Sequence, residues 1–184
     1  MPTPLHQHAA ALAAVGNDHW IETLEDGSHV LIRPLRSEDR ELERDFLNRL
    51  SPMTRKLRFH GEVKVNEALL DSLMDVDYQQ TMAFVALVHE DGELREVGIS
   101  RYAAAEDGSQ CECALTTADD WKRKGLGLTL MRHLIEVARR NGFTQMYSID
   151  QAIDRDMRDL AVQLGFRAQR DPDDSTRVIR SLEL

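Results

Sequence analysis

The sequence predicts an α+β domain whose central sheet is mixed and mostly antiparallel. Three observations carry this reading. Two acidic turns closing on glycine, Glu90-Asp91-Gly92 and Glu106-Asp107-Gly108, divide residues 82–117 into three β-rich runs, the pattern of an antiparallel meander. An apolar stripe of Leu128, Met131, Leu134, Ile135 and Ala138 then recurs at helical spacing. A further β-rich run at 144–149 follows that helix, so it can lie parallel to the strand before the crossover.

Taken in order, residues 1–19 show no useful periodicity and read as an N-terminal tail, and a single domain is expected over 20–184. The Ala-rich run at 9–15 follows His6 and His8 rather than Lys or Arg, which makes a poor signal peptide. The two histidines are better explained as part of a frayed tail than as metal ligands. After the turn Glu25-Asp26-Gly27, residues 29–34 form a short strand closed by Pro34. Ser37-Glu38-Asp39 then caps a helix carrying Leu42, Phe46, Leu47 and Leu50 at helical spacing. Ser51-Pro52 starts a second helix, and 66–75 gives a third through Leu69, Leu70, Leu73 and Met74.

The nearly continuous apolar run at 82–88 suits a strand covered on both faces. Residues 94–103 return, and 110–117 make the third strand of the meander. The following helix runs from 126 to 141 and stops at Asn141-Gly142. A helix over 154–164, a stop at Gly165-Phe166, and strands at 166–169 and 177–182 complete the chain.

Composition narrows the function. The chain has 184 residues, 42% of them hydrophobic, enough for one core. Its formal charge of −9 argues against a nucleic-acid partner, whose affinity rests on Lys and Arg neutralising phosphates, and suits a cationic substrate. No run approaches the roughly 18 apolar residues of a membrane span, so no membrane partner is expected. Cys111 and Cys113 are the only cysteines, two apart on one strand. Their side chains point the same way, which strains a bridge, and no second ligand pair exists for a metal. Free, reduced thiols make the cytoplasm the expected compartment.

The chemistry concentrates in Trp121-Lys122-Arg123-Lys124-Gly125-Leu126-Gly127-Leu128-Thr129, where a strand hands over to an amphipathic helix. Glycines let backbone come close to a ligand, and the unpaired amides of a first helical turn point at an anion. The pattern is neither a Walker loop nor a dinucleotide fingerprint, since position 130 is Leu. By itself it reads either as a phosphate cradle or as a helix start with solvated lysines. Glu112, one short strand upstream, reads either as a base or as a solvent-facing strand residue, and the alternation sets it on the face opposite the cysteines.

The Lys122 to Gly127 loop and the element order resemble the GNAT superfamily of acyl-CoA N-acyltransferases, over about residues 30–184. Cys111-Glu112-Cys113-Ala114, Asp119-Asp120-Trp121-Lys122, Leu130-Met131, Leu164-Gly165-Phe166 and the earlier Leu50-Ser51-Pro52 and Leu57-Arg58-Phe59 look like the acetyltransferase domain of bacterial protein lysine acetyltransferases.

The resemblance implies a GNAT-like fold with a splayed strand pair that binds acetyl-CoA. Amides from Lys122, Arg123, Lys124, Gly125, Leu126 and Gly127, with Leu128 and Thr129, would hold the diphosphate. A bulge near Thr116 and Thr117 would open the slot for pantetheine, and the Leu115 N–H would polarise the thioester carbonyl. Glu112 would be the general base for a primary amine, favoured to be a protein lysine; a small amine or a regulatory module with weak turnover are the alternatives. A homodimer is left open.

Three positions depart from the family pattern: Lys122 stands where the loop opens with Gln or Arg, keeping a donor and a charge, and two further changes fall at 154 and 161. Asp154 stands where many relatives have Asn, on the coenzyme side, and Ala161 stands where the usual Tyr protonates the departing thiolate. Tyr147 and Tyr102 are candidate substitutes, each better explained by packing. His60 is read as either a channel residue or a structural histidine, and His133 as a polar-face residue without a role.

Overall fold

A computed structural model describes residues 18–184; the histidines at 6 and 8, the Ala-rich run and nearly all of the expected tail lie outside the described residues. Eight strands form one sheet in the order β1-β2-β3-β4-β5-β6-β8-β7. They are β1 (Trp20–Thr23), β2 (His29–Pro34), β3 (Thr81–Glu90), β4 (Glu93–Ala104), β5 (Gln110–Thr117), β6 (Gln145–Gln151), β7 (Arg167–Arg170) and β8 (Arg177–Glu183). Among the described residues five α-helices flank the sheet: α1 (Arg40–Arg49), α2 (Pro52–Phe59), α3 (Glu67–Met74), α4 (Leu126–Arg140) and α5 (Arg155–Leu164). The meander and the parallel crossover stand where the sequence puts them, and β5–β6 is the one parallel pairing. No described helix is long and apolar enough to cross a membrane.

The helices divide between two faces, which the parity of β4 makes visible. Leu130 and Leu126 of α4 press on Gly98, where an added Cβ would meet their methyls at 3.0 and 3.1 Å. Arg101 has the opposite parity and reaches the other side, where its guanidinium donates to Leu73 O of α3 at 3.1 Å and faces Glu43 of α1. Met82 to Leu87 are buried throughout β3, the consequence of cover on both faces. Leu126, Leu130, Met131 and Leu134 supply the buried stripe of α4.

Three local expectations change. Trp20–Thr23 is a strand that the sequence reading passes over; its Trp20 ring stacks on His133 at 4.0 Å, and His133 Nε2 lies 2.8 Å from Glu22 Oε1. His133 therefore fastens the edge strand. Ser37-Glu38-Asp39 does not cap α1 with its serine but forms a 3-10 turn ahead of it. Asp39 is taken instead by the buried Arg33 guanidinium in two bonds of 2.6 and 2.8 Å, and by the Arg36 amide at 2.8 Å.

The third change concerns the slot. No bulge occurs at Thr116 or Thr117, because β5 stays in unbroken register with β4 from Cys111 to Thr117. The register shift in the meander lies at Ala86/Leu87, between β3 and β4. The splay is instead a simple parting: β5 and β6 pair only at Gln110/Gln145, Cys111/Met146 and Glu112/Tyr147, then separate.

Candidate active site

The parting of β5 from β6 opens a cavity of about 420 Å³. Backbone alternation decides which amides face it. Ala105 N donates to Gln110 O at 2.8 Å and Ala118 N to Val97 O at 2.8 Å, which fixes the bonded pairs between β4 and β5. Residues 110, 112, 114 and 116 therefore turn their amides to β4. Those of Leu115 and Thr117 point the other way, into the space that β6 has left.

Side chains alternate in step. Cys111 and Cys113 are buried on the α4 side while Glu112 is exposed on the opposite side, lining the cavity. Burial pushes the Cys111 thiol up to about 12 and raises that of Cys113 as well, so neither supplies a thiolate nucleophile near neutral pH.

At the other end of the cavity α4 begins. Arg123 and Gly125 both adopt positive φ, 59° and 85°, and the turn they make delivers the chain into the helix. The first helical bond runs from Thr129 N to Gly125 O at 3.1 Å, so the amides of Leu126, Gly127 and Leu128 precede the intrahelical ladder. Gly127 keeps this approach open, since a Cβ there would meet Leu115 at 3.0 Å and Leu160 at 3.4 Å.

Of the residues expected from sequence, Glu112, Leu115, Thr116, Thr117, Lys122, Arg123, Gly125, Leu126, Gly127, Leu128 and Asp154 line the cavity. Lys124 and Thr129 do not. Thr129 spends its amide and its hydroxyl on Gly125 O, both at 3.1 Å. Lys124 turns to Asp26 at 3.0 Å and lies over the Trp121 ring at 4.6 Å.

The three cations are also less available than their spacing suggests. Lys122 donates to Thr54 Oγ1 at 2.9 Å and sits 3.5 Å from Asp119, while the exposed Arg123 meets Asp156 at 3.1 Å. Glu25, from the β1–β2 turn, brings an acidic group to the same place, its carboxyl carbon 3.3 Å from the site of a Cβ on Gly125. The anion-holding capacity of this end thus rests on backbone amides first.

Asp154 caps α5 through Met157 N at 3.1 Å. Burial raises its pKa, with the charge of Asp150 adding to the effect. Ala161 is buried outside the cavity. Tyr102 is core, donating to Gln79 O at 3.0 Å and packing edge-on against Phe143. Tyr147 is the register partner of Glu112, and burial followed by the Glu112 charge raises its pKa, which keeps the phenol protonated.

Sequence reasoning missed most of the wall formed by α2. Thr54, Leu57, Arg58 and Phe59 line the cavity, with His60, whose ring lies 3.1 Å from Gln151 Nε2. The helix start at Ser51-Pro52 was legible; which later residues face a cleft depends on how α2 crosses β5 and β6.

Comparison with known proteins adds family and fold. The acetyltransferase (GNAT) family matches residues 45–166. The chain is 69% identical over 177 residues to Acetyltransferase PA5475 of Pseudomonas aeruginosa PAO1, covering 96% of this chain and 95% of that one. In fold it is similar to the GNAT domain of S. lividans PAT, with TM-score 0.82 and 18% identity over 90% of this chain and 97% of that one. It is likewise similar to the PaiA N-acetyltransferase of Thermoplasma acidophilum in complex with coenzyme A, with TM-score 0.62 and 15% identity over 84% and 99%.

Proposed function

Because the chain belongs to the acetyltransferase (GNAT) family, we propose that it moves an acetyl group from acetyl-CoA to a primary amine, with Glu112 as general base and a protein lysine as the favoured acceptor. The observation that carries this reading is the parted β5–β6 pair. Glu112 sits at the last paired position, and the Leu115 amide faces the gap immediately beyond it.

The fit of acetyl-CoA to these residues rests on the same geometry. Free amides at Leu126, Gly127 and Leu128 would hold the diphosphate, and the amides of Leu115 and Thr117 offer an unpaired strand edge to the pantetheine amides. When bound, the thioester supplies the activated acetyl group. An amine with pKa near 10.4 is almost wholly protonated at pH 7, so Glu112 first takes a proton, directly or through a water. The freed lone pair forms the new C–N bond as the C–S bond breaks, and the nitrogen sheds its second proton to water to give the neutral amide. The Leu115 N–H would meet the negative charge that builds on the carbonyl oxygen. With Ala161 at the position of the usual acid, the thiolate takes its proton from solvent.

A cationic acceptor is supported by the lining of the cleft, where Glu112, Asp150, Asp154, Asp156 and Asp159 all lie. The resemblance of the Cys111 to Ala114 stretch to protein lysine acetyltransferases supports lysine. The decisive experiment measures CoA release from acetyl-CoA with lysine proteins, lysine peptides and small amines. Release with at least one amine is expected; tight acetyl-CoA binding with no acetylated amine in any class would overturn the reading.

A further inference from the structure

Arg58 is a cation in the cleft with no anion against it. Its side chain lines the cavity and lies over the Phe59 ring, 4.7 Å from the centroid. Among the described residues it makes neither a hydrogen bond nor an ion pair. Burial, and then the positive charge of Arg101, push its pKa down to about 10; Glu43 and Glu112 oppose this from a distance. It stays protonated at neutral pH all the same.

The nearest carboxylates are committed elsewhere. Glu43 faces Arg101 at 3.7 Å and shares its burial with Glu96. Glu112 faces the amine in the proposed reaction. Arg58 is half-buried at the cleft wall with its guanidinium donors unpaired, and an anion entering through the open mouth of the cleft finds them free to bond.

The diphosphate is not that anion. α2 meets the phosphate end of the cleft at its first turn, where Thr54 holds Lys122, and Arg58 lies one helical turn further on, at the Glu112 end. We propose that Arg58 pairs with a carboxylate carried by the acceptor, so that the preferred substrate is an amine with a carboxylate about one side-chain length away. Two sources carry that chemistry: a free amino acid, and a protein lysine beside Asp or Glu. The guanidinium fork suits a carboxylate in two parallel bonds, and its stacking on Phe59 holds the fork in one orientation. This rests on the acetyl-transfer reading above.

The test uses the full chain, saturating acetyl-CoA and two matched pairs of amines. Free lysine is compared with lysine amide, and a blocked Glu-Lys-Glu peptide with its Gln-Lys-Gln counterpart. The wild type is expected to favour the carboxylate-bearing member of one pair by about tenfold in kcat/KM, and the pair that shows it identifies the source. Arg58→Gln should collapse that ratio towards one by raising KM for the carboxylate-bearing member, and Arg58→Lys should keep part of it. No preference by the wild type in either pair, or a preference that survives in Arg58→Gln, overturns the proposal and leaves acetyl transfer standing. Absence of CoA release with all four amines, with release from others, also overturns it; absence with every amine sinks both readings.

Discussion

Asp119 and Ser51 are joined twice across 68 residues of sequence: the carboxylate accepts from the Ser51 amide at 2.8 Å and from its hydroxyl at 3.0 Å. It also accepts from Thr54 Oγ1 at 2.7 Å, and Thr54 in turn accepts from Lys122. One side chain thus ties the turn ahead of the glycine loop to the start of the helix that carries Arg58. Burial works to raise the Asp119 pKa, but the donors from Ser51 and Thr54 and the charge of Lys122 outweigh it, and the net shift is downward.

Asp119→Ala should therefore cost about 1–2 kcal/mol, since it leaves the Ser51 and Thr54 donors without their charged acceptor, and raise KM for acetyl-CoA and for the amine together. A carboxyl with a lowered folded pKa stabilises above its unfolded value and loses that contribution as pH falls through the folded one. The difference in Tm between wild type and variant should be full at pH 7 and shrink below about pH 4.

Glu112→Gln should leave acetyl-CoA affinity intact and lower kcat by about 10²–10⁴-fold near neutral pH. A pH–rate profile identical in shape and height to that of the wild type would remove Glu112 from the chemistry.

The glycine loop yields a pair of opposed outcomes. Gly125→Ala places a Cβ 3.2 Å from Glu25 at a φ of 85°, so acetyl-CoA affinity should fall by about tenfold through strain and crowding. Glu25→Gln removes a negative charge from the start of α4 and should tighten acetyl-CoA severalfold, an effect of about 0.3–1 kcal/mol that weakens with salt. Titration calorimetry on both variants checks the signs.

Glu96 is buried beneath α1, and burial, followed by the charge of Glu43, raises its pKa well above the ordinary carboxylate range. Neither of its carboxyl oxygens has a clear partner. A group whose folded pKa is raised stabilises fully below its unfolded value and loses that contribution as pH rises towards the folded one. Glu96→Gln should flatten the decline in Tm between pH 5 and pH 9 and leave the variant the more stable at the alkaline end.

Legibility followed range. The β5 run from Gln110 to Thr117 and the start of α4 at Leu126 were readable because local alternation and a glycine turn specify them. β1 was not, since four residues carry little period and its anchor, His133, comes from the distant α4. The parting of β5 from β6 leaves no local mark, because it depends on where β6 turns away; hence the bulge expected at Thr116 and Thr117 is absent while the slot exists. The carboxylates that take up Arg123 and Lys124, and the lack of one for Arg58, are likewise set by chain crossings rather than by neighbours in sequence, whereas Asp119, beside Lys122, is only three residues away.

Only three rungs fasten β6, and with it β8 and β7, to the rest of the sheet. A molecule filling the seam beyond them acts as a further rung, so its arrival should slow amide exchange in β6 and its departure return the three outer strands to those pairings alone. Turnover in such a protein is also a cycle of mending and unmending its own ladder.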